Sequence, residues 1–168
     1  MILVDKGAQQ VDIYLSFGSN LGNRQGNLDK ALKLLSQNIS LIKVSSVYDT
    51  EPFQTYSQPR FLNLVCQAQT NKTPAELLAF VKSIEHKLGR APNSHNAPRE
   101  IDIDILFYGN KIITTQELTI PHPRLVERAF VLIPLAEIAP DLTHPINGKT
   151  TKQLQQALNK AQDVRQVK

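Results

Sequence analysis

The sequence predicts an α+β chain: a ferredoxin-like βαββαβ sandwich with one antiparallel sheet, helices on one face and helical additions at the C-terminal end. Three observations carry that expectation. Stretches of strand alternation and of helical apolar spacing follow one another in the order β-α-β-β-α-β. The helical stretches open on capping residues and close on turn residues. The length of 168 residues, with 41% hydrophobic and 20% charged residues, suits one soluble domain with a proper core.

Val11 to Phe17 alternates with odd positions apolar and reads as a strand with one buried face. It runs into Gly18-Ser19-Asn20-Leu21-Gly22-Asn23, a turn that can expose backbone N–H groups. No Gly-Lys-Ser/Thr follows, so this is not a P-loop. Asn23 or Asn27 can cap the next helix, whose stripe is Leu28, Ala31, Leu32 and Leu35. Ile39–Tyr48 and Phe61–Thr70 read as the second and third strands, separated by a long polar loop with aromatics, Asp49 to Pro59. Loops of that length are more often functional than idle. Thr73, Pro74 and Glu76 form a capping signature for a helix with stripe Leu77, Leu78, Val81, Ile84 and Leu88, ended by Gly89. A second polar loop, Arg90 to Pro98, leads to the fourth strand. Beyond it, Gly109-Asn110 predicts a hairpin that pairs Lys111–Thr114 with that strand. Short helices are expected around Arg124–Glu127 and Ala129–Ile138, and a last one from about Thr150 to Lys160.

The fourth strand carries the chemistry. In Arg99-Glu100-Ile101-Asp102-Ile103-Asp104-Ile105-Leu106-Phe107, alternation sends Asp102 and Asp104 to one face and the isoleucines to the other. Two carboxylates about 7 Å apart along a strand repel unless a cation or water lies between them. Mg²⁺ is commonly held by one or two carboxylates plus substrate phosphates, and Arg99 adds a phosphate-seeking guanidinium. Asp-x-Asp is short and common, so by itself it reads first as an ordinary half-exposed strand face.

Composition narrows the classes. The net charge of +4 comes from the tail: residues 149–168 hold five basic residues and one acidic, whereas residues 1–148 hold 14 of each. With no aromatic-interleaved basic stripe, nucleic acid is not an expected partner. The single cysteine, Cys66, excludes an internal disulfide or a cysteine zinc cluster. No apolar run reaches the roughly 20 residues of a membrane span, and no signal peptide is evident, so the expected address is the cytoplasm. Residues 1–168 are read as one domain, with 1–10 an N-terminal extension and 149–168 a basic C-terminal helix and tail; no room remains for a fused second enzyme.

Taken together, the segments resemble the hydroxymethyldihydropterin pyrophosphokinase family of folate biosynthesis. The signature is Asn96-Ala97-Pro98-Arg99-Glu100-Ile101-Asp102-Ile103-Asp104-Ile105-Leu106. In register with it stand Gly18-Ser19-Asn20-Leu21, Ser45-Ser46-Val47-Tyr48 with Thr50 and Pro52, and Phe61-Leu62-Asn63. Further on come Glu85 with Gly89-Arg90, then Pro121-His122, Arg128, Phe130 and Glu137-Ile138-Ala139-Pro140. The resemblance runs from about Val11 to Pro145.

It implies transfer of diphosphate from ATP to the hydroxymethyl group of a reduced pterin, with AMP released. By resemblance, Asp102 and Asp104 would be ligands of two Mg²⁺, and Arg90 and Arg99 would act with them in catalysis. ATP would be bound by Glu85, Arg90, Arg99, Ile105, Thr119, His122 and Arg128. The pterin would meet Thr50, Glu51, Phe53, Phe61, Asn63 and Phe130, and the chain would act as a monomer on small molecules alone. Without the resemblance, Phe61 and Phe130 read as core and His122 as a turn residue, whereas Asn63 in an apolar strand needs a partner for its amide. This chain departs from the family at Glu51, where a second proline is frequent, at His95-Asn96, at the arginine-poor Ala91-Pro92-Asn93 and at Pro123. Two other classes fit the bare carboxylate pair: a simple kinase or nucleotidyl enzyme, releasing ADP or pyrophosphate, and a ferredoxin-like RNA-binding module.

Overall fold

The computed structural model describes residues 9–53, 57–94 and 96–168. Most of the N-terminal extension (residues 1–8), Gln54, Thr55 and Tyr56 of the first long loop, and His95 lie outside the described residues.

The central sheet contains β1 (Val11–Ser19), β2 (Ser40–Val44), β3 (Tyr48–Thr50), β4 (Phe61–Thr70), β5 (Asp102–Tyr108) and β8 (Val164–Gln166). Its order is β5-β1-β4-β3-β8, with β2 also on β4, and every pairing is antiparallel. Counting β2 and β3 as one interrupted strand, this is the ferredoxin-like arrangement the sequence predicts. The interruption has a cause: β2 shifts register between Leu41 and Lys43, and Ser45, while its N–H donates to the Val65 carbonyl, accepts the Val65 N–H on its hydroxyl rather than its carbonyl.

Alternation divides the sheet's side chains between two cores. Helices α1 (Arg24–Ser36) and α2 (Pro74–Lys87) cover one face, over Ile13, Leu15, Phe17, Leu64, Cys66, Ile101, Ile103 and Ile105. Both caps form as expected: Asn23 accepts from the Gly26 N–H at 2.9 Å, and Thr73 and Glu76 close a reciprocal capping box. The other face is shared. Its near half packs Tyr14, Val65, Leu106 and Phe107 against Leu125 of a 3₁₀ turn (Leu125–Glu127), α3 (Ala129–Ile138) and α4 (Thr151–Gln156). The other half is left open as a cleft.

Two expectations fail locally, and one strand is irregular. Lys111–Thr114 does not pair with β5; β6 (Ile113–Thr114) pairs with β7 (Thr119–Ile120) in a separate two-stranded sheet. The β5 outer edge there receives instead the His122 N–H on the Leu106 carbonyl, 3.0 Å. The last helix ends at Gln156 rather than Lys160, and the tail continues as β8 against β3. That strand is three residues, Val-Arg-Gln, too short to show an alternation and held by main-chain bonds that carry no side-chain signal. Finally, β5 bulges where Tyr14 pairs Phe107 and Leu15 pairs Ile105, so Leu106 and Phe107 both face the second core.

Candidate active site

The cleft, about 520 Å³, opens over the C-terminal half of β1 and the strands beside it. Its floor is one row across the sheet: Asp102 on β5 stands opposite Gly18 on β1, which stands opposite Asn63 on β4. Neighbouring strands lie about 4.8 Å apart, so about 10 Å separates the carboxylate from the amide. A Cβ on Gly18 would fall 2.6 Å from the Asn63 Oδ1, so only glycine leaves that amide room. The Asn63 Nδ2 donates to Thr50 Oγ1 at 2.6 Å, which settles the buried amide and leaves its carbonyl facing the glycine.

On the β5 side, Asp102 is clamped. Arg90 Nη1 donates to its Oδ1 at 2.7 Å, and Arg99 Nη2 and Nε donate to its Oδ2 at 3.0 and 3.2 Å. Burial works against the charge, but Arg99 and Arg90 overcome it and hold the carboxyl below its usual range. Asp104, two residues on and opposite Ser16, is placed otherwise. Arg128 Nη1 stands 3.7 Å and His122 Nε2 3.9 Å from its Oδ2, both beyond hydrogen-bond reach. Burial and the neighbouring Asp102 carboxylate push it up to about 7. A carboxylate pair with one member short of positive charge fits a divalent cation. Among the described residues no third His, Cys, Asp or Glu completes a protein cage, so remaining ligands would be phosphate and water oxygens, as Mg²⁺ prefers.

His122 accepts the Arg124 N–H on Nδ1 at 3.2 Å, which places its proton on Nε2, towards Asp104. Burial and Arg128 push its pKa down to about 4, so it is a neutral donor. Opposite lies the aromatic wall. Phe53 and Phe130 stand 6.1 Å apart with ring planes at 59°, and Phe61 borders the floor. Each carries an arginine over its ring: Arg99 over Phe61 (4.9 Å), Arg124 over Phe53 (5.3 Å) and Arg128 over Phe130 (5.6 Å).

Thirteen residues were singled out from the sequence as site residues beyond the carboxylate pair, and they do not all reach the cleft. Thr50, Glu51, Phe53, Phe61, Asn63, Arg90, Arg99, His122, Arg128 and Phe130 line it. Glu85, Ile105 and Thr119 do not. Glu85 is buried behind the site, where its Oε1 accepts from Arg90 Nη1 (2.7 Å) and from the Ile103 N–H (2.8 Å) and its Oε2 from Lys82 (3.2 Å). It is an anchor for Arg90 and β5. The Ile105 side chain points into the first core, as strand alternation requires, and Thr119 is exposed on β7. The cleft also takes residues outside that set, among them Ser16, Gly18, Gln58 and Asn96, and three more have structural roles of their own. Lys82 and Arg124 line the cleft from α2 and the approach to the 3₁₀ turn, and solvent-facing cations leave no pattern in a sequence. Asn20 joins the two long loops: its Nδ2 donates to Gln58 Oε1 (3.1 Å) and the Pro59 carbonyl, and its Oδ1 accepts the Arg99 N–H (2.8 Å). Its signal was an amide directly following a buried strand, where it had to find partners.

Comparison with known proteins agrees with this geometry. Residues 14–140 match the family described as 7,8-dihydro-6-hydroxymethylpterin-pyrophosphokinase (HPPK). The chain belongs to this family. It is 41% identical over 141 residues to the 2-amino-4-hydroxy-6-hydroxymethyldihydropteridine pyrophosphokinase of Aquifex aeolicus, covering 84% of this chain and 88% of that one. It is 47% identical over 137 residues to the folic acid synthesis protein fol1 of Pneumocystis carinii, covering 81% of this chain. The chain spans only about a fifth of the length of such fol1 relatives, 18% in that case. Among solved structures, a wild-type Plasmodium falciparum HPPK-DHPS with SDX-DHP superposes with a TM-score of 0.76, covering 93% of this chain and 46% of that one. At 16% identity that likeness shows the fold. As an HPPK-family chain it is also without any helix, among the described residues, long and apolar enough to cross a membrane.

Proposed function

We propose that the cleft performs the reaction of its family: diphosphate passes from ATP to the hydroxymethyl group of 6-hydroxymethyl-7,8-dihydropterin, and AMP is released, within folate synthesis. The chain is thus an ATP-dependent pyrophosphokinase. The observation that carries this reading is the row Asp102–Gly18–Asn63, which puts an anionic, arginine-flanked end about 10 Å from an amide bordered by aromatic rings. One end suits a triphosphate; the other suits a flat heterocycle with donors and acceptors on its edge.

Phosphoryl-type transfer is mostly positioning and charge stabilisation, and these side chains supply both. Asp102 and Asp104 are the residues that would hold Mg²⁺, two ions by family resemblance. When bound, the metal neutralises phosphate charge, polarises the attacked phosphorus and lowers the pKa of a coordinated hydroxyl. Arg90, Arg99 and Arg128 offer forked donors to phosphate oxygens, and His122 a neutral N–H. Arg99 and Arg128 rest on Phe61 and Phe130, the two rings that would stack on the pterin, and Arg124 rests on Phe53 of the adjoining wall. The reading also takes the chain as a monomer acting on small molecules in the cytoplasm.

Nucleotide products decide the reaction. With ATP, Mg²⁺ and the reduced pterin, AMP is expected, and only when all three are present; ADP would mean an ordinary kinase. Chelation with EDTA is expected to stop turnover, and added Mg²⁺ to restore it. The pterin end has its own check. In Gly18→Ala the new methyl drives the Asn63 amide from its place, so KM for pterin should rise about tenfold or more with KM for ATP nearly unchanged. An equal rise for both substrates would refute that assignment of Asn63.

A further inference from the structure

We propose that Gln162 and Asp163 form a clamp that sets the two aromatic-bearing walls of the pterin pocket, making the C-terminal strand a positioning element for the second substrate. The inference rests on the functional reading above, because it concerns the same pocket.

The two walls come from distant parts of the chain. One is Thr50 to Phe53, following β3; the other is Arg128 to Phe130, at the start of α3. Behind the Phe53 and Phe130 rings they leave a cavity of about 200 Å³, closed by residues 161–164. The walls touch through those two rings, 6.1 Å apart, and the tail adds hydrogen bonds to each wall. Gln162 spends both halves of its amide on the second wall: its Oε1 accepts the Ala129 N–H at 2.9 Å, and its Nε2 donates to the Glu127 carbonyl at 2.8 Å. These two bonds straddle Arg128. They also cap α3 from outside, since Arg128 sits at the N-cap and makes no side-chain cap bond.

Asp163 holds the first wall. Its carbonyl accepts the Glu51 N–H at 3.2 Å, and its own N–H donates to Glu51 Oε1 at 2.9 Å. The first bond extends the β3–β8 ladder one step beyond Thr50 opposite Val164, and the second closes it with the Glu51 side chain. The Asp163 carboxylate is fixed in turn by Arg60 at 3.1 Å and Arg165 at 2.9 Å. One backbone step thus joins the wall that carries Phe53 to the wall that carries Phe130. A proline at position 51 would have neither an N–H nor a side-chain acceptor, so both bonds of this tie depend on the glutamate.

The test compares wild type with Gln162→Ala and with Gln162→Met, which keeps the shape and loses the hydrogen bonds. Amide exchange is followed in the free protein, and KM in the full reaction. In both variants exchange should quicken about tenfold at Ala129 and Phe130 and also at Glu51 and Phe53, with β1 and β4 unchanged. KM for pterin should rise about tenfold while KM for ATP moves less than about threefold. Wild-type behaviour of Gln162→Met, loosening of one wall alone, or equal rises for both substrates would each overturn the clamp. Should wild type release no AMP with pterin, the functional reading falls, and the exchange pattern still decides whether the two walls are tied.

Discussion

Asp104→Asn is expected to give a protein that turns over at least about a thousandfold more slowly than wild type and is nevertheless more stable without ligands. A thousandfold is about 4 kcal/mol of transition-state stabilisation, the scale for losing a metal ligand or a key electrostatic contact. The stability gain follows from the Asp104 environment. Its carboxyl, pushed up to about 7 by burial and by Asp102, is charged in the folded protein only at a cost. A group whose folded pKa is raised adds stability below its unfolded value, near 4, and loses it as pH climbs through the folded value. Relative to wild type, the neutral asparagine should therefore show little gain at pH 4 and a full gain above pH 7, about 1–2 kcal/mol once the full linkage value of about 4 kcal/mol is discounted for solvent screening of the partly exposed carboxyl. Thermal melts in EDTA at the two pH values, beside AMP release, measure both effects. Asp102→Ala should be as inactive yet gain nothing, because Asp102 pairs with Arg90 and Arg99. If Asp104→Asn were destabilised at pH 8, or Asp102→Ala kept its activity, the division of labour between the two carboxylates would be wrong.

The contrast between these aspartates also marks how far the sequence could be read. Alternation alone placed both on one face opposite the isoleucine core, because a strand's period of two leaves no other choice. The caps at Asn23 and Thr73 were legible for the same reason: local chemistry satisfies local backbone donors. What set the two carboxylates apart is not local. Arg90 and Arg99 reach Asp102 from the second loop, while Arg128 and His122 reach towards Asp104 from beyond β7. The tail reads as continuing helix in the sequence because Val164 to Gln166 is too short to show strand alternation, and β3 recruits it through its backbone. The predicted hairpin after Gly109 failed because a turn signal fixes a reversal of the chain but not which strand it pairs with; β7 supplied the partner.

Glu85 is the sharpest case, and it yields the second large effect. Family resemblance put it among the ATP contacts, yet its carboxylate is enclosed and accepts from Arg90, Lys82 and the Ile103 N–H. Glu85→Ala removes the acceptor from a buried guanidinium and from a buried main-chain donor together. Breaking a buried pair by truncating one partner costs about 3–5 kcal/mol, because the remaining charge is left uncompensated. Lys82 is half exposed and contributes little to that sum. Arg90 keeps Asp102, so the loss should sit near the lower end, about 3 kcal/mol by urea unfolding. Activity should fall as well, with kcat reduced more than KM for ATP, since Arg90 loses its anchor while the nucleotide loses no direct contact. Glu85→Gln, which keeps a carbonyl for the Ile103 N–H and the same volume, should recover part of the stability. A variant of full stability with ATP affinity selectively lost would restore Glu85 to the nucleotide site. Stability and kcat falling together would fix it as the residue that holds Arg90 and the aspartate strand to α2.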